Sequence, residues 1–307
     1  MADLPPMDFA SYVATRKRLN DVGDTSTRSE DAFVPRSLHD YAYASDRQMR
    51  AAFEKAKPVE LAVASSVRLF QTVWRTQLLG NAVKVSERQF PRIHSLTKDC
   101  ADTLHIPMPR VYIVNSPIHN AATYGTNEES FIMVHSSLVD HFSDEELRSV
   151  IGHECGHIHN SHVVYLTAIH SLTNMAGLFI RWIVEPALIA LRSWSRRAEI
   201  TCDRAGMLCS KDADTSARAL TKLALGSKKL YEEFNLEAFL DQYNESKGEI
   251  GKHMEIFASH PWLPKRVLAL REFSKSALYR DAAKLGPGGT TMDEVDEAVK
   301  KLIRGEA

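Results

Sequence analysis

The sequence predicts an α+β fold, mostly α-helical, in which polar-faced helices lie beside a small antiparallel sheet. Two observations carry the class. Apolar residues recur at intervals of three and four through most of the chain, as in "PVELAVASSVRLFQTVWRTQLL" and "RQFPRIHSLTKDCADTLH". Only two short segments, "PRVYIVNS" and "SFIMVHSS", are rich in β-branched and aromatic residues and flanked by turn formers, and they read as strands enclosing "PIHNAATYGTNEE".

Taken in order, residues 1–60 are polar and interrupted by turn formers ("NDVGDTSTRSED") and are expected to form an N-terminal arm. The main domain is expected over 61–280. Within it "SDEELRSVIGHECGHIHNSH" opens a helix: Ser143 and Glu146 have capping-box spacing, and Asp144 and Glu145 suit the positive end of the helix dipole. An apolar helical stretch continues to about Leu191, with Pro186 expected to break it. "SWSRRAEITCDRAGMLCS" reads as a further helix, and helical segments run on to about residue 285. "GPGGT" interrupts the chain, and Thr291 with Glu294 repeats the capping-box pattern ahead of a C-terminal helical tail, 281–307.

Lys plus Arg number 38 against 39 Asp plus Glu, so no net field recruits nucleic acid. Four cysteines (100, 155, 202 and 209) contain no CxxC pair and fit a reduced, cytoplasmic protein. The first twenty residues lack an apolar run behind a basic segment, so no secretory signal is expected. Residues 163–180 carry no Asp, Glu, Lys or Arg but contain five polar side chains, short of the about 20 mostly apolar residues of a spanning helix. A helical hairpin packed on the domain or, through 163–194, on a second subunit is expected instead. Trp182 and Trp194 would suit peripheral contact with a membrane.

The chemistry concentrates in His153-Glu154-Cys155-Gly156-His157, an H-E-x-x-H pattern. On a helix two histidines four apart share one face, and converging neutral imidazoles suit Zn²⁺ at about 2.0–2.1 Å. Glu154 is then placed for a metal-bound water. A catalytic zinc needs a third protein ligand. The H-E-x-x-H-x-x-G-x-x-H pattern fails, because Asn160 and Val163 stand at its Gly and His positions. Glu185 and Glu199 remain. Glu185 precedes Pro186 in an apolar run, whereas Glu199 has Asp203 four residues on, a carboxylate that could orient a ligand histidine. An exposed acidic face beside Arg196, Arg197 and Arg204 is the plain alternative. Cys155 is expected to pack away from the ligands, His162 to bond nearby backbone, Cys202 to reach the site only on an irregular helix, and Arg266 to be structural.

Four stretches in order resemble the metallopeptidase family of the HtpX heat-shock protease and the CAAX prenyl proteases, a gluzincin group: "HNAATYG", "EELRSVIGHECGHIHNSH", "SRRAEITCDRAG" and "ASHPWLPKRVLAL". The resemblance covers roughly two-thirds of the chain. It implies a gluzincin core with two metal-bearing helices, one Zn²⁺ per chain on His153, His157 and Glu199, Glu154 as catalytic base, and Asp203 behind a ligand. It also implies His260 near the developing oxyanion, and an edge strand at Asn120, Ala121 and Ala122 that holds a protein or peptide substrate by strand addition. The chain departs from the family in lacking clear membrane helices and in an enlarged segment before His260. An inactive zinc-binding relative that docks a partner, or an integral membrane protease, are the alternatives these departures leave.

Overall fold

The computed structural model describes residues 38–55, 80–126, 129–175, 181–245 and 262–304. The expected helix at 58–79 and His260 lie outside these residues.

Two helices form the centre: α4 (Asp144–His159), which carries the H-E-x-x-H pattern, and α6 (Arg181–Ser210), which carries Glu199 and Asp203. Ser143 caps α4 as its spacing predicts: its side chain accepts from the Glu146 amide, and the Glu146 carboxylate accepts from the Ser143 amide. The helix buries Leu147, Val150, Ile151 and Cys155. Its other inward positions are Gly152 and Gly156, where α6 comes very close. A methyl at Gly152 would lie 2.6 Å from Cys209 Cβ, one at Gly156 2.7 Å from Ala205 Cβ, and one at Gly206 2.5 Å from the Ser149 carbonyl oxygen. Small residues on both sides therefore bring the two backbones together. Pro186 does not end α6. It sits near the N-terminal end, and the helix runs on to Ser210, so the two helices expected there are one.

Around this pair lie α1 (Ala44–Lys55), α2 (Pro91–Thr103), α3 (Ser136–His141), α5 (Val163–Met175), α7 (Ala213–Leu225), α8 (Lys228–Glu232), α9 (Leu236–Glu245), α10 (Leu263–Ser274), α11 (Ala277–Ala282) and α12 (Met292–Arg304). Pro91 at the start of α2 and the burial of Ile93, Leu96, Thr97, Cys100 and Ala101 follow the expected helical spacing. Gly226 closes α7 at φ 62°, a left-handed position suited to glycine. The capping box at Thr291 and Glu294 is formed.

The sheet is mixed rather than antiparallel. Its order is β1 (Ala82–Lys84), β2 (Arg110–Val114), β4 (Ser130–His135), β3 (Ala121–Gly125). Val111 pairs with Ile132 in parallel register, while β1 and β3 pair antiparallel on the outside. After β2 the chain skips a place to lay down β3, and the turn back inserts β4 between them, which makes β2 and β4 parallel. The two expected strands are thus neighbours, and the segment between them supplies a third. β1 was not expected at all; three residues give no periodicity.

Residues 38–55, read from sequence as part of an arm, are built into the core. Tyr41 and Tyr43 are buried among the α4 and α6 side chains, and Phe53 packs with Leu191, Trp194 and Ala198. Trp194, expected to suit a membrane interface, is fully buried, and its indole N–H donates to Asp46 at 2.8 Å. The Trp182 side chain lies outside the described residues. No described helix is long and apolar enough to cross a membrane.

Candidate metal centre and cleft

The helical spacing of α4 brings the His153 and His157 rings to 5.0 Å between centroids, and both Nε2 atoms point at one carboxylate of α6. His153 Nε2 lies 3.5 Å from Glu199 Oε2, and His157 Nε2 lies 3.7 Å from Glu199 Oε1. Glu185 is elsewhere, paired with Arg192 at 3.8 Å. Asp203, one turn beyond Glu199, lies 3.0 Å from His153 Nδ1. That contact leaves the Nε2 lone pair of His153 directed at the convergence point, the arrangement in which a carboxylate orients a ligand histidine.

Arg266 of α10 completes the cluster. It donates to Asp203 through Nε at 2.8 Å and Nη2 at 2.6 Å, and Nη2 lies 3.2 Å from Glu199 Oε2. Burial pushes the Asp203 carboxyl up, but the Arg266 charge and the hydrogen bonds from Arg266 and His153 outweigh it and hold the group below the usual carboxylate range. The two histidines separate. Burial lowers both, but for His153 the Asp203 bond and the Glu199 charge win and raise it, whereas for His157 burial prevails, with His153 alongside adding to it, and takes it well below the ordinary imidazole value.

His153, His157 and Cys202 also offer donor atoms within 4.8 Å of one another. The thiol nevertheless lies behind the ring: Cys202 Sγ is 3.2 Å from His157 Nδ1, the nitrogen opposite the one that faces Glu199. Burial and the Glu199 charge raise the thiol far above its usual pKa, so it is a poor ligand beside an available carboxylate. The helix is regular here. Cys202 reaches His157, against expectation, because the glycine contacts bring α6 so near.

Glu154 faces the same cleft, a cavity of about 710 Å³ lined by Asn120, Ala121 and Ala122 on one side and by Leu220, Leu223 and Leu263 on the other. Thr123 of β3 donates its hydroxyl to Glu154 Oε2 at 2.6 Å. β3 is the outer strand among the described residues, and Thr167 of α5 fixes its end by bonding both the amide and the carbonyl of Gly125 at 3.1 Å. Partial burial, with the Glu154 charge nearby, pushes the Tyr124 hydroxyl up to about 12.

Such a donor set, two imidazoles and a carboxylate on paired helices opening to a cleft, is one that can hold a metal ion with a position left open. The sequence model of peptidase family M48 matches residues 87–274. The chain belongs to peptidase family M48. This metallopeptidase is 33% identical over 232 residues to the plastoglobule-localized metallopeptidase 48, chloroplastic, of Arabidopsis thaliana, spanning 71% of the chain and 67% of that relative. It is 25% identical to protease HtpX homologs of Moorella thermoacetica (233 residues, 63% of the chain, 76% of the relative) and of Tropheryma whipplei (225 residues, 64% and 77%). It acts on protein or peptide substrates, and its family is metal-dependent.

In this M48 chain the structure brings together His153, Glu154, His157, Glu199, Asp203, Asn120, Ala121 and Ala122. Sequence reasoning missed Thr123, whose stretch was read for its backbone alone, and gave Arg266 a structural role. The only signal for Arg266 was its place six residues after His260.

Proposed function

We propose that the chain is a zinc-dependent endopeptidase in which His153, His157 and Glu199 hold one Zn²⁺ and Glu154 is the general base. The observation that carries this reading is the convergence of both Nε2 atoms on Glu199 at 3.5 and 3.7 Å. Tetrahedral bonds of about 2.0–2.1 Å separate donor atoms by about 3.3–3.4 Å, so a small closure suffices. Bound there, Zn²⁺ would supply Lewis-acid chemistry, lowering the pKa of a water toward about 7 and polarising the scissile carbonyl.

The remaining steps belong to the chain. The substrate extends along β3, with backbone groups of Asn120, Ala121 and Ala122 adding it as a strand. Glu154, held by Thr123, takes the proton of the attacking water. As the C–N bond breaks, it returns that proton to the amine nitrogen. Asp203, itself clamped by Arg266, keeps His153 in the tautomer that presents Nε2. His260 is assigned, on the family resemblance, as a donor to the oxyanion. His260→Ala should lower kcat by about 10²–10³ with zinc retained.

The test is metal content beside turnover of a quenched peptide. Glu154→Gln should keep one zinc and lose nearly all turnover, Glu199→Ala should lose the zinc, and Glu185→Ala should keep both. Full zinc in Glu199→Ala, or near-parent turnover in Glu154→Gln, would reject the assignment. The plastoglobule name of one relative supports peripheral contact with a lipid surface. Carbonate-resistant retention in membranes would contradict it.

A further inference from the structure

His153 and His157 differ in what stands behind them. Behind His153 is a carboxylate. Behind His157, beside the Cys202 thiol, is a second imidazole: His157 Nδ1 lies 3.2 Å from His162 Nδ1. The far nitrogen of His162 lies 3.0 Å from Asp46 Oδ2, off the straight line of its N–H. Asp46 sits on α1, far away in sequence, and each of its oxygens accepts one further hydrogen bond: Oδ1 the Trp194 indole N–H at 2.8 Å and Oδ2 the Thr201 hydroxyl at 2.7 Å. Every member of this row is buried, with His162 fully so.

The turn that makes the row is specific. After α4 the chain passes through Ser161 at φ 57°, a left-handed residue, and the His162 amide bonds back to the His157 carbonyl at 2.9 Å. This folds the His162 ring under His157. α1 is tied to the same turn by Arg50, which donates to the Asn160 carbonyl at 2.9 Å.

Proton positions along the row follow from donor and acceptor chemistry. An indole N–H only donates, so Asp46 is an acceptor, and the nitrogen of His162 facing it carries the proton. The other nitrogen of neutral His162 then has a lone pair. Two ring nitrogens 3.2 Å apart need one hydrogen between them, and with His162 already protonated toward Asp46 it is His157 that supplies it; Cys202 Sγ, 3.2 Å from His157 Nδ1 and 3.6 Å from His162 Nδ1, is the weaker donor and acceptor. His157 is therefore Nδ1–H, with its Nε2 lone pair aimed toward Glu199.

We propose that Asp46, acting through His162, is a positioning residue that sets the tautomer of His157 and so presents Nε2 to the metal. This rests on the reading of His157 as a ligand. Residues 38–55 thereby become part of the metal centre's support, although none of them lines the described cleft.

The experiment measures zinc affinity of the full chain by competition with a chromogenic chelator, for Asp46→Asn, His162→Leu, His162→Asn and, as control, Glu199→Ala. In Asp46→Asn the Trp194 N–H holds the amide oxygen at the Oδ1 place, so an NH₂ faces His162. That reverses the row and leaves His157 protonated on the wrong nitrogen. Asp46→Asn and His162→Leu should each bind zinc about 10–100-fold more weakly. His162→Asn should recover much of the loss, because its side-chain carbonyl can accept from His157 Nδ1–H. Affinities of Asp46→Asn and His162→Leu within twofold of the parent, with zinc lost in Glu199→Ala, would overturn the proposal and spare the ligand reading. Full zinc in Glu199→Ala would remove the ground of both. Equal weakness of His162→Asn and His162→Leu would also overturn it, since the pocket would then need the ring's shape and not its acceptor. So would two zinc ions per chain with the second lost in Cys202→Ser, which would put metal where the proton is assigned. If His162→Leu does not fold, Asp46→Asn decides.

Discussion

Thr123 holds the base of the proposed reaction from a strand that also borders the substrate cleft, with a 2.6 Å hydrogen bond to Glu154 Oε2. A hydrogen bond to a charged group contributes about 1.5–3 kcal/mol. Thr123→Val removes the donor at nearly constant shape. It should lower kcat by about 10–100-fold while zinc content stays at the parent level. An unchanged kcat would mean that Glu154 is aimed by something else. At this scale the sequence revealed what a single helix determines. His153, Glu154 and His157 are legible because helical spacing alone sets their geometry, and Glu199 and Asp203 because they repeat that logic four residues apart. Thr123, Arg266, Cys202 and Asp46 act across elements distant in the chain, and nothing local in the sequence marks such contacts.

The α4–α6 pair depends on hydrogen atoms where other helices carry methyl groups. Gly206→Ala would place a Cβ 2.5 Å from the Ser149 carbonyl oxygen, a backbone atom that cannot rotate aside. Alanine's helix propensity returns about 1 kcal/mol, and overpacking costs about 1–3 kcal/mol. The steric term should win by up to about 2 kcal/mol in urea unfolding, and zinc affinity should fall with it as the ligand helices separate. A stabilised variant would show that the helices can part freely. At α7, Asp212 accepts from the Asp214 and Thr215 amides. Partial burial pushes its carboxyl up, but the Thr215 and Asp214 bonds prevail and hold it below the ordinary value. A carboxyl lower in the folded than in the unfolded state stabilises fully above the unfolded value of about 3.9, and the benefit is lost as pH falls through the folded value. Asp212→Ala should thus cost about 0.5–2 kcal/mol at pH 7, with the gap narrowing once the pH drops below about 4. A gap independent of pH would rule out the carboxylate as its source. Caps were legible because they are written within four residues. Strand order was not, since pairing depends on which slot the returning hairpin enters, and β3 was expected from the family resemblance and not from its own residue pattern.

The chain ends of the described fold meet around one buried cation. Arg204 of α6 is 1% exposed; its Nη1 lies 2.8 Å from Asp296 of α12 and donates to the Tyr41 carbonyl at 3.0 Å, while the guanidinium sits over the rings of Tyr43 and Phe273. Asp296 also accepts from the Ala44 amide at 2.9 Å. Asp296→Ala would strand the charge and should destabilise the molecule by about 3–5 kcal/mol, read as a fall in unfolding free energy. A loss below about 1 kcal/mol would show that the aromatic faces suffice. The sequence read 38–55 as arm and α12 as tail because each is polar in composition. Tyr41, Tyr43, Phe53, Val295 and Val299 are among their buried residues, and sparse anchors of this kind leave little mark on an average over many residues.

The outer strand β3 has one further bearing, on the state of whatever is cut. An edge of this kind accepts only a segment already extended and free of its own hydrogen bonds for several residues. A folded protein supplies such a segment only during local opening, whose free energy ranges from about zero at frayed ends to the full unfolding value in a core. When reclosing outpaces cleavage, the rate is proportional to the open population. The peptidase would then report on the looseness of its targets more than on their sequence. A series of destabilised variants of one small substrate protein, sharing the same cleavage site, should be cut about tenfold faster for each 1.4 kcal/mol lost from that opening.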